Sequence, residues 1–148
     1  MSEAMGKLEA IWLKTSHGGP MAPVDAAVAV EGRGLEGNAD FDSRRHVTLV
    51  EKEVFEGLKS ELSQNVEPNM RRANFLVSGM RLEDSEDRVL TVGDLRIRIK
   101  GETRPCMIMD EACPGLKDAL VPNWKGGAHG SVLNDATVRV GDEVSWED

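Results

Sequence analysis

Tyrosine is absent from this 148-residue chain, and the other aromatics are scarce, with three Trp and three Phe. A core must therefore rest mainly on Val, Leu, Ile, Met and Ala. There are only two cysteines, Cys106 and Cys113. That count excludes a four-cysteine iron–sulfur cluster held within one chain, and in a reducing compartment a structural disulfide is not expected. The histidines, His17, His46 and His129, are scattered and lack zinc-ligand spacing toward either cysteine. No apolar run approaches the roughly 20 residues that a membrane span requires, and the N-terminus lacks the apolar stretch of a secretory leader. A cytoplasmic, reducing setting without membrane attachment is the expectation. Positive charge is also in short supply: 18 Lys and Arg against 26 Asp and Glu give a net charge of -8. General nucleic-acid binding, which neutralises many phosphates, is not expected. A small anionic ligand remains compatible, because local charge governs such a site.

What is present reads as β-rich. Lys7 to Lys14 predicts a strand with Leu8, Ala10 and Trp12 on one face and Ile11 and Leu13 on the other. Thr15 to Pro23 reads as a loop, and Val24 to Val30 as a small apolar strand. Gly32, Gly34 and Gly37 interrupt any regular element beyond it. Val47 to Val50 is a short strand, and Glu51 to Leu62 is the best helix, with Val54, Phe55, Leu58 and Leu62 on one side. Asn74 to Val77 predicts another strand, ending at Gly79. The clearest β signal is Val89 to Lys100. There a Gly93-Asp94 turn leads into Leu95, Ile97 and Ile99, alternating with Arg96, Arg98 and Lys100. Pro114 to Leu120 predicts a short helix, and Val138 to Trp146 a strand, a Gly141-Asp142 turn and a second strand. Nothing resembles an interdomain linker, so one domain over residues 1–148 is expected: mainly β with a few short helices, closed as a barrel or strongly bent.

Cys106 is the residue with most chemical promise. It ends Thr103-Arg104-Pro105-Cys106, directly after the basic strand. Arg88 to Arg104 carries five basic residues and two acidic ones inside an acidic protein. A guanidinium nearby stabilises a thiolate, the reactive form of the side chain. Pro105 restricts Arg104 to an extended conformation. The alternative is a buried, inert thiol, and for Cys113 that packing role is the favoured reading. Lys125 to Gly130 forms a glycine loop that either turns the chain or presents backbone N–H groups to an anion. His46, after two arginines, reads as a structural or surface histidine rather than as an acid–base group.

Several punctuating segments, taken in order, resemble one family. Gly34-Leu35-Glu36-Gly37-Asn38 is similar to a Gly-Leu-x-Gly-Asp motif, with Asn38 where Asp is usual. Arg45-His46-Val47-Thr48-Leu49 is similar to an Arg-x-Val-Thr-Leu strand. Arg72-Ala73-Asn74-Phe75-Leu76-Val77-Ser78-Gly79 resembles the next segment. Thr103-Arg104-Pro105-Cys106 looks like the approach to the family's cysteine. Gly126-Gly127-Ala128-His129-Gly130 and Val140-Gly141-Asp142-Glu143-Val144 resemble its closing loop and turn. The family is the MOSC domain, the C-terminal domain of molybdenum cofactor sulfurases, and the motifs run from about 34 to 144.

The resemblance implies a β-barrel related to the pyruvate-kinase-type barrel and binding of the molybdenum cofactor (molybdopterin). It implies that Cys106 is the catalytic residue, as a persulfide carrier or as a metal ligand. It implies cofactor-binding roles for Arg45, Arg72, Asn74, Arg104, Gly127 and His129, with arginines on the pterin phosphate. Three functions are open. One is a sulfur carrier whose partners are a cysteine desulfurase and a molybdoenzyme. The second is a cofactor-dependent reductase of N-hydroxylated compounds served by an electron-transfer partner. The third is a non-catalytic interaction barrel. Pyridoxal phosphate belongs to the desulfurase domain of fused relatives; no lysine here has a Schiff-base context, so none is expected.

Overall fold

The computed structural model describes residues 6–16, 21–62, 73–103, 115–120 and 124–147. Its strands are β1 (Gly6–Lys14), β2 (Met21–Val24), β3 (Ala26–Val30), β4 (Gly34–Leu35), β5 (Val47–Glu51), β6 (Phe75–Ser78), β7 (Val89–Val92), β8 (Leu95–Glu102), β9 (Ala128–Val132), β10 (Ala136–Arg139) and β11 (Glu143–Trp146). Two helices are described, α1 (Lys52–Leu62) and α2 (Leu116–Leu120).

Strands follow the order β11-β7-β8-β9-β5-β6-β1, and β1 pairs back onto β11, closing a seven-strand barrel. Closure removes the free edges that an open sheet would expose. β2 adds to β1 as an outer strand, and β10-β3-β4 form a separate three-stranded sheet. All barrel pairs are antiparallel except β5–β6. That parallel pair needs a crossover, and α1 leaves directly from the end of β5.

The alternation of β8 works as the sequence predicts. Leu95, Ile97 and Ile99 are fully buried in the barrel core, while Arg96, Arg98 and Lys100 take the other face. The β1 pattern does not hold throughout. A bulge lies between Leu8 and Ala10 in the pairing with β6, and one extra residue reverses which side chains face inward. Leu8, Ile11 and Leu13 therefore belong to the barrel core, whereas Ala10 and Trp12 pack outside with α1.

That outer cluster joins Phe55 and Leu58 of α1 to Val50, Leu76, Ala119 and Leu120. It covers one flank of the β5–β6 pair. The region Thr15 to Pro23, read as a loop, contributes the start of β2, and Asp25 separates β2 from β3. Trp12 turns its backbone N–H and C=O toward Asn74, so Pro23 opposite it on β2 forfeits no ladder bond. The closing glycine loop runs into β9, a strand that its composition conceals.

Candidate functional site

The outer face of β6, β5, β9 and β8 gathers the polar residues of interest. Val47 and Leu49 lie in the barrel core, so Thr48 between them points outward. Thr48 pairs across the ladder with His129, and His129 pairs with Gly101. Next to Thr48, on the other side, stands Asn74. A row of Asn74, Thr48, His129 and Gly101 thus crosses four chain segments.

Asn74 is a brace in this row. Its Oδ1 accepts from the Thr48 backbone N–H at 3.0 Å, and its Nδ2 donates to the Trp12 carbonyl at 3.1 Å and to Asn38 Oδ1 at 3.1 Å. Its own backbone N–H donates to the Thr48 carbonyl. The amide ties β1, β5, β6 and the Gly34–Asn38 turn together where the parallel pair begins. Asn38 Oδ1 also accepts from the Lys14 N–H at 2.8 Å. Both contacts at Asn38 require an acceptor oxygen, which Asp would supply equally. Asn in place of Asp therefore preserves this joint.

His129 is half-buried, and its Nδ1 is buried with no hydrogen-bond partner among the described residues. Burial holds its imidazole below the ordinary range, and the charges of Arg45 and Lys100 push the same way. Those two cations therefore act on His129 from the segment before β5 and from β8. A bulge between Ile99 and Gly101 sits at this point of β8. Gly101 leaves its face open to the ring: a Cβ there would meet His129 Cε1 at 3.6 Å, an ordinary contact.

Three side chains carry buried polar atoms without a partner among the described residues: Asn38 Nδ2, Thr103 Oγ1 and His129 Nδ1. Each such atom costs about 1–3 kcal/mol if nothing satisfies it. Their distribution is not scattered. Asn38 is bonded to Asn74, His129 pairs with Thr48, and Thr103 donates its backbone N–H to the Gly127 carbonyl at 2.8 Å beside β9. Unspent hydrogen-bonding capacity, two cations and an imidazole held below its ordinary range meet around β9.

Gly127 is placed here for a steric reason. Its φ is +95°, and a Cβ would collide with the Leu49 carbonyl oxygen. Its N–H donates to the Trp124 carbonyl and that of Gly126 to the Leu120 carbonyl. The glycine loop is thus a turn that packs against β5, its amides directed at protein carbonyls. His46 is buried, and its Nδ1 accepts from the Val132 N–H at 3.0 Å. Burial holds it below the ordinary imidazole range, consistent with a structural role.

Of the residues singled out in the sequence, Arg45, Asn74, Gly127 and His129 come together on this face. Arg72, Arg104, Cys106 and Cys113 lie outside the described residues. Of their described neighbours, Thr103 bonds to the Gly127 carbonyl beside β9, whereas Ala73 packs in the apolar cluster under α1. Sequence reasoning passed over Thr48, Lys100 and Thr103 as site residues. Thr48 and Thr103 were inside quoted motifs, but only the ladder register brings Thr48 beside His129. The basic strand is less free than it reads: Arg96 forms a forked pair with Glu147 at 2.7 Å, and Arg98 donates to the Asp87 carbonyl.

Cavities also occur away from this face. One of about 410 Å³ is lined by Glu51, Glu53, Val54, Gly79, Met80 and Arg81. Its carboxylates serve the fold, since Glu53 accepts from the Gly79 N–H and Glu51 from the Leu82 N–H. Among the described residues no cluster of His, Cys, Asp and Glu suits a metal ion, and no helix is long and apolar enough to cross a membrane.

Residues 14–145 match the model of the MOSC domain family. Among curated proteins, none matches this chain. Among solved structures, the chain is similar to the YuaD protein from Bacillus subtilis, with a TM-score of 0.81 and 20% identity, over 95% of this chain and 94% of that one. It is similar to YiiM from Geobacillus stearothermophilus, at TM-score 0.75 and 15% identity, covering 97% and 75%. YiiM from Escherichia coli gives 0.73 and 15%, covering 96% and 70%. At these identities the likeness establishes the fold.

Proposed function

The chain belongs to the MOSC domain family, generally linked to molybdenum cofactor binding, and on that premise we propose that it is a cofactor-binding sulfur carrier with Cys106 as the carrier residue. The observation that supports the reading is the row of Thr48, His129 and Gly101 across the outer face of β5, β9 and β8, where Arg45 and Lys100 bring positive charge to bear on His129. Two cations there act on one partly buried histidine, in a protein of net charge -8. A pterin phosphate needs cations and hydrogen-bond donors. Arg45, Lys100, Asn38 Nδ2 and Thr103 Oγ1 offer both, so the residues present fit the group.

Cys106 follows Thr103 by three positions, and three residues of chain span at most about 11 Å. Thr103, three positions before Cys106 in the sequence, donates its N–H to the Gly127 carbonyl just past the end of β8. Arg104, between them, is assigned to thiolate stabilisation and phosphate contact. Arg72, joined to the Ala73–Asn74 corner, is assigned to the phosphate. Asn74 holds β5 and β6 in register beneath these groups. When bound, the cofactor supplies a redox-active metal held by dithiolene sulfurs.

The carrier step is an exchange. The Cys106 thiolate attacks the outer sulfur of a persulfide on a cysteine desulfurase. The donor's S–S bond breaks, its cysteine leaves as thiolate, and Cys106 holds the sulfane sulfur as a new persulfide. A second exchange of the same kind passes that sulfur to a thiolate of a molybdoenzyme, and Cys106 leaves as thiolate. Mass spectrometry after incubation with a desulfurase and cysteine tests the reading. Cys106 gains the mass of one sulfur atom, and Cys106→Ser gains none. An unmodified Cys106 under conditions that load a known acceptor refutes the carrier role. Metal and pterin analysis of the purified chain tests the cofactor part.

A further inference from the structure

We propose that the cavity at the end of β5 binds a small organic cation, an ammonium or guanidinium group on a short aliphatic chain, with Glu51 as the carboxylate that receives it. The site lies on the opposite face of β5 from Thr48. Val47 and Leu49 point into the barrel core, so Glu51 takes the same inner side. It pairs across the sheet with Val77, another core residue. A carboxylate that is only 9% exposed thus stands where the pattern of β5 calls for an apolar side chain. Breaks of this kind in an otherwise consistent pattern mark functional positions.

The surroundings define the ligand's chemistry. Glu51 Oε2 accepts from the Leu82 N–H at 3.3 Å, and Glu53 Oε2, from the first turn of α1, accepts from the Gly79 N–H at 2.8 Å. These bonds from one loop use a single oxygen of each carboxylate. Neither Oε1 has a partner among the described residues. Both side chains line the cavity of about 410 Å³. Arg81 also lines it, but its guanidinium turns to Glu83 at 3.1 Å and is 79% exposed. Among the described residues Glu51 therefore forms no ion pair of its own. Burial raises its carboxyl above the ordinary range; the Leu82 N–H and Arg81 offset part of this, while Glu53 and Glu83 add to it. A cation in the cavity relieves that cost and finds two free carboxylate oxygens to donate to. Val54 and Met80 give an aliphatic chain apolar contact. Among the described residues no cluster of three ligand side chains suits a metal ion, so an N–H-bearing cation fits better.

The test follows the carboxyl itself. Carbon-13 NMR of the full chain records the Glu51 side-chain signal against pH in sodium chloride, then with n-butylammonium or n-butylguanidinium at the same ionic strength. Glu51→Gln identifies that signal by its loss. Each cation favours the ionised carboxylate, so it is expected to lower the Glu51 midpoint by about one unit, which corresponds to about tenfold tighter binding to the ionised form. Binding tightens as pH rises through that midpoint and levels off above it. Glu51→Gln is expected to weaken both cations about tenfold and to remove the pH dependence around the midpoint. That variant keeps its fold, because removing a carboxyl raised by burial stabilises the chain at neutral pH. Glu53→Gln, at an exposed position, is expected to weaken binding several-fold and keep the pH dependence. Tetramethylammonium, which has no N–H to donate, is expected to leave the midpoint in place. The tighter of the two butyl cations identifies the head group. A midpoint unmoved by both, an equal shift with tetramethylammonium, or binding unaltered in Glu51→Gln overturns the proposal.

Discussion

Replacing Asn74 with Ala removes a brace rather than a surface group, and the cost can be worked from its contacts. The side chain is 2% exposed. Its loss strands the Thr48 N–H and the Trp12 carbonyl, each of which uses Asn74 as partner. Asn38 Oδ1 keeps the Lys14 N–H and is only partly deprived. Two buried groups at about 1–3 kcal/mol each give a destabilisation of about 3 kcal/mol. For a domain of this size that lowers Tm by roughly 6–12 °C. Urea unfolding followed by tryptophan fluorescence and far-UV circular dichroism measures it, and agreement between the probes checks two-state behaviour. Asn74→Asp sharpens the test. One oxygen still accepts from Thr48, but the other faces the Trp12 carbonyl and Asn38 Oδ1, both acceptors. This variant is expected to be at least as unstable as Asn74→Ala at neutral pH, and to recover as acid gives the carboxyl a proton to donate. An Asn74→Ala loss below about 1 kcal/mol would refute the reasoning, since water would then be substituting freely for the amide.

Two glycines in different settings should respond with opposite signs. Gly127→Ala meets the Leu49 carbonyl at a positive φ and should destabilise by at least about 2 kcal/mol. Gly57→Ala, in open space on α1, should stabilise by about 1 kcal/mol; denaturation midpoints at unchanged m-value report both. His46 is held below its ordinary value of 6.5 by burial. The unfolded chain therefore takes up a proton first, and stability present above pH 6.5 is lost as pH falls through the lowered folded value. His46→Gln should shrink that acid-side loss in a pH series of unfolding curves, and an unchanged series would contradict the burial argument. Glu51 behaves in the reverse sense. Burial raises its carboxyl above the ordinary 4.5, so its contribution is full below 4.5 and is lost as pH rises through the raised value. Glu51→Gln should therefore be more stable than the parent at neutral pH, the gain fading on acidification, as read by thermal scans across pH.

Local signals in the sequence reached far for some elements. Strict alternation in Leu95 to Lys100 set both the strand and its core face, because period two has one meaning in a sheet. The 3.6-residue spacing of Phe55 and Leu58 marked α1 and its buried side, and Gly93 and Gly141 marked turns by their positive φ. The ordered motifs pointed to the family and its barrel. β2 was concealed by Gly and Pro, and β9 by the glycines needed for the approach of Gly127 and Gly130 to neighbouring backbone. A glycine required by a close contact is indistinguishable in sequence from one that ends a strand.

What the sequence determined by itself was the set of parts: a β-rich chain, one amphipathic helix, a basic strand and the motifs of one family. Those properties rest on residue type and short-range spacing, which act before the chain closes. The tertiary structure alone decided which parts meet. A bulge in β1 sent Trp12 to the outer face, and the antiparallel β5–β9 register set Thr48 against His129, 81 positions apart in the chain. Asn74, a candidate ligand by motif, became the brace joining Trp12, Thr48 and Asn38. Register and bulges are settled by ladder hydrogen bonds between distant segments competing for one closed barrel, and no local window of sequence contains that competition.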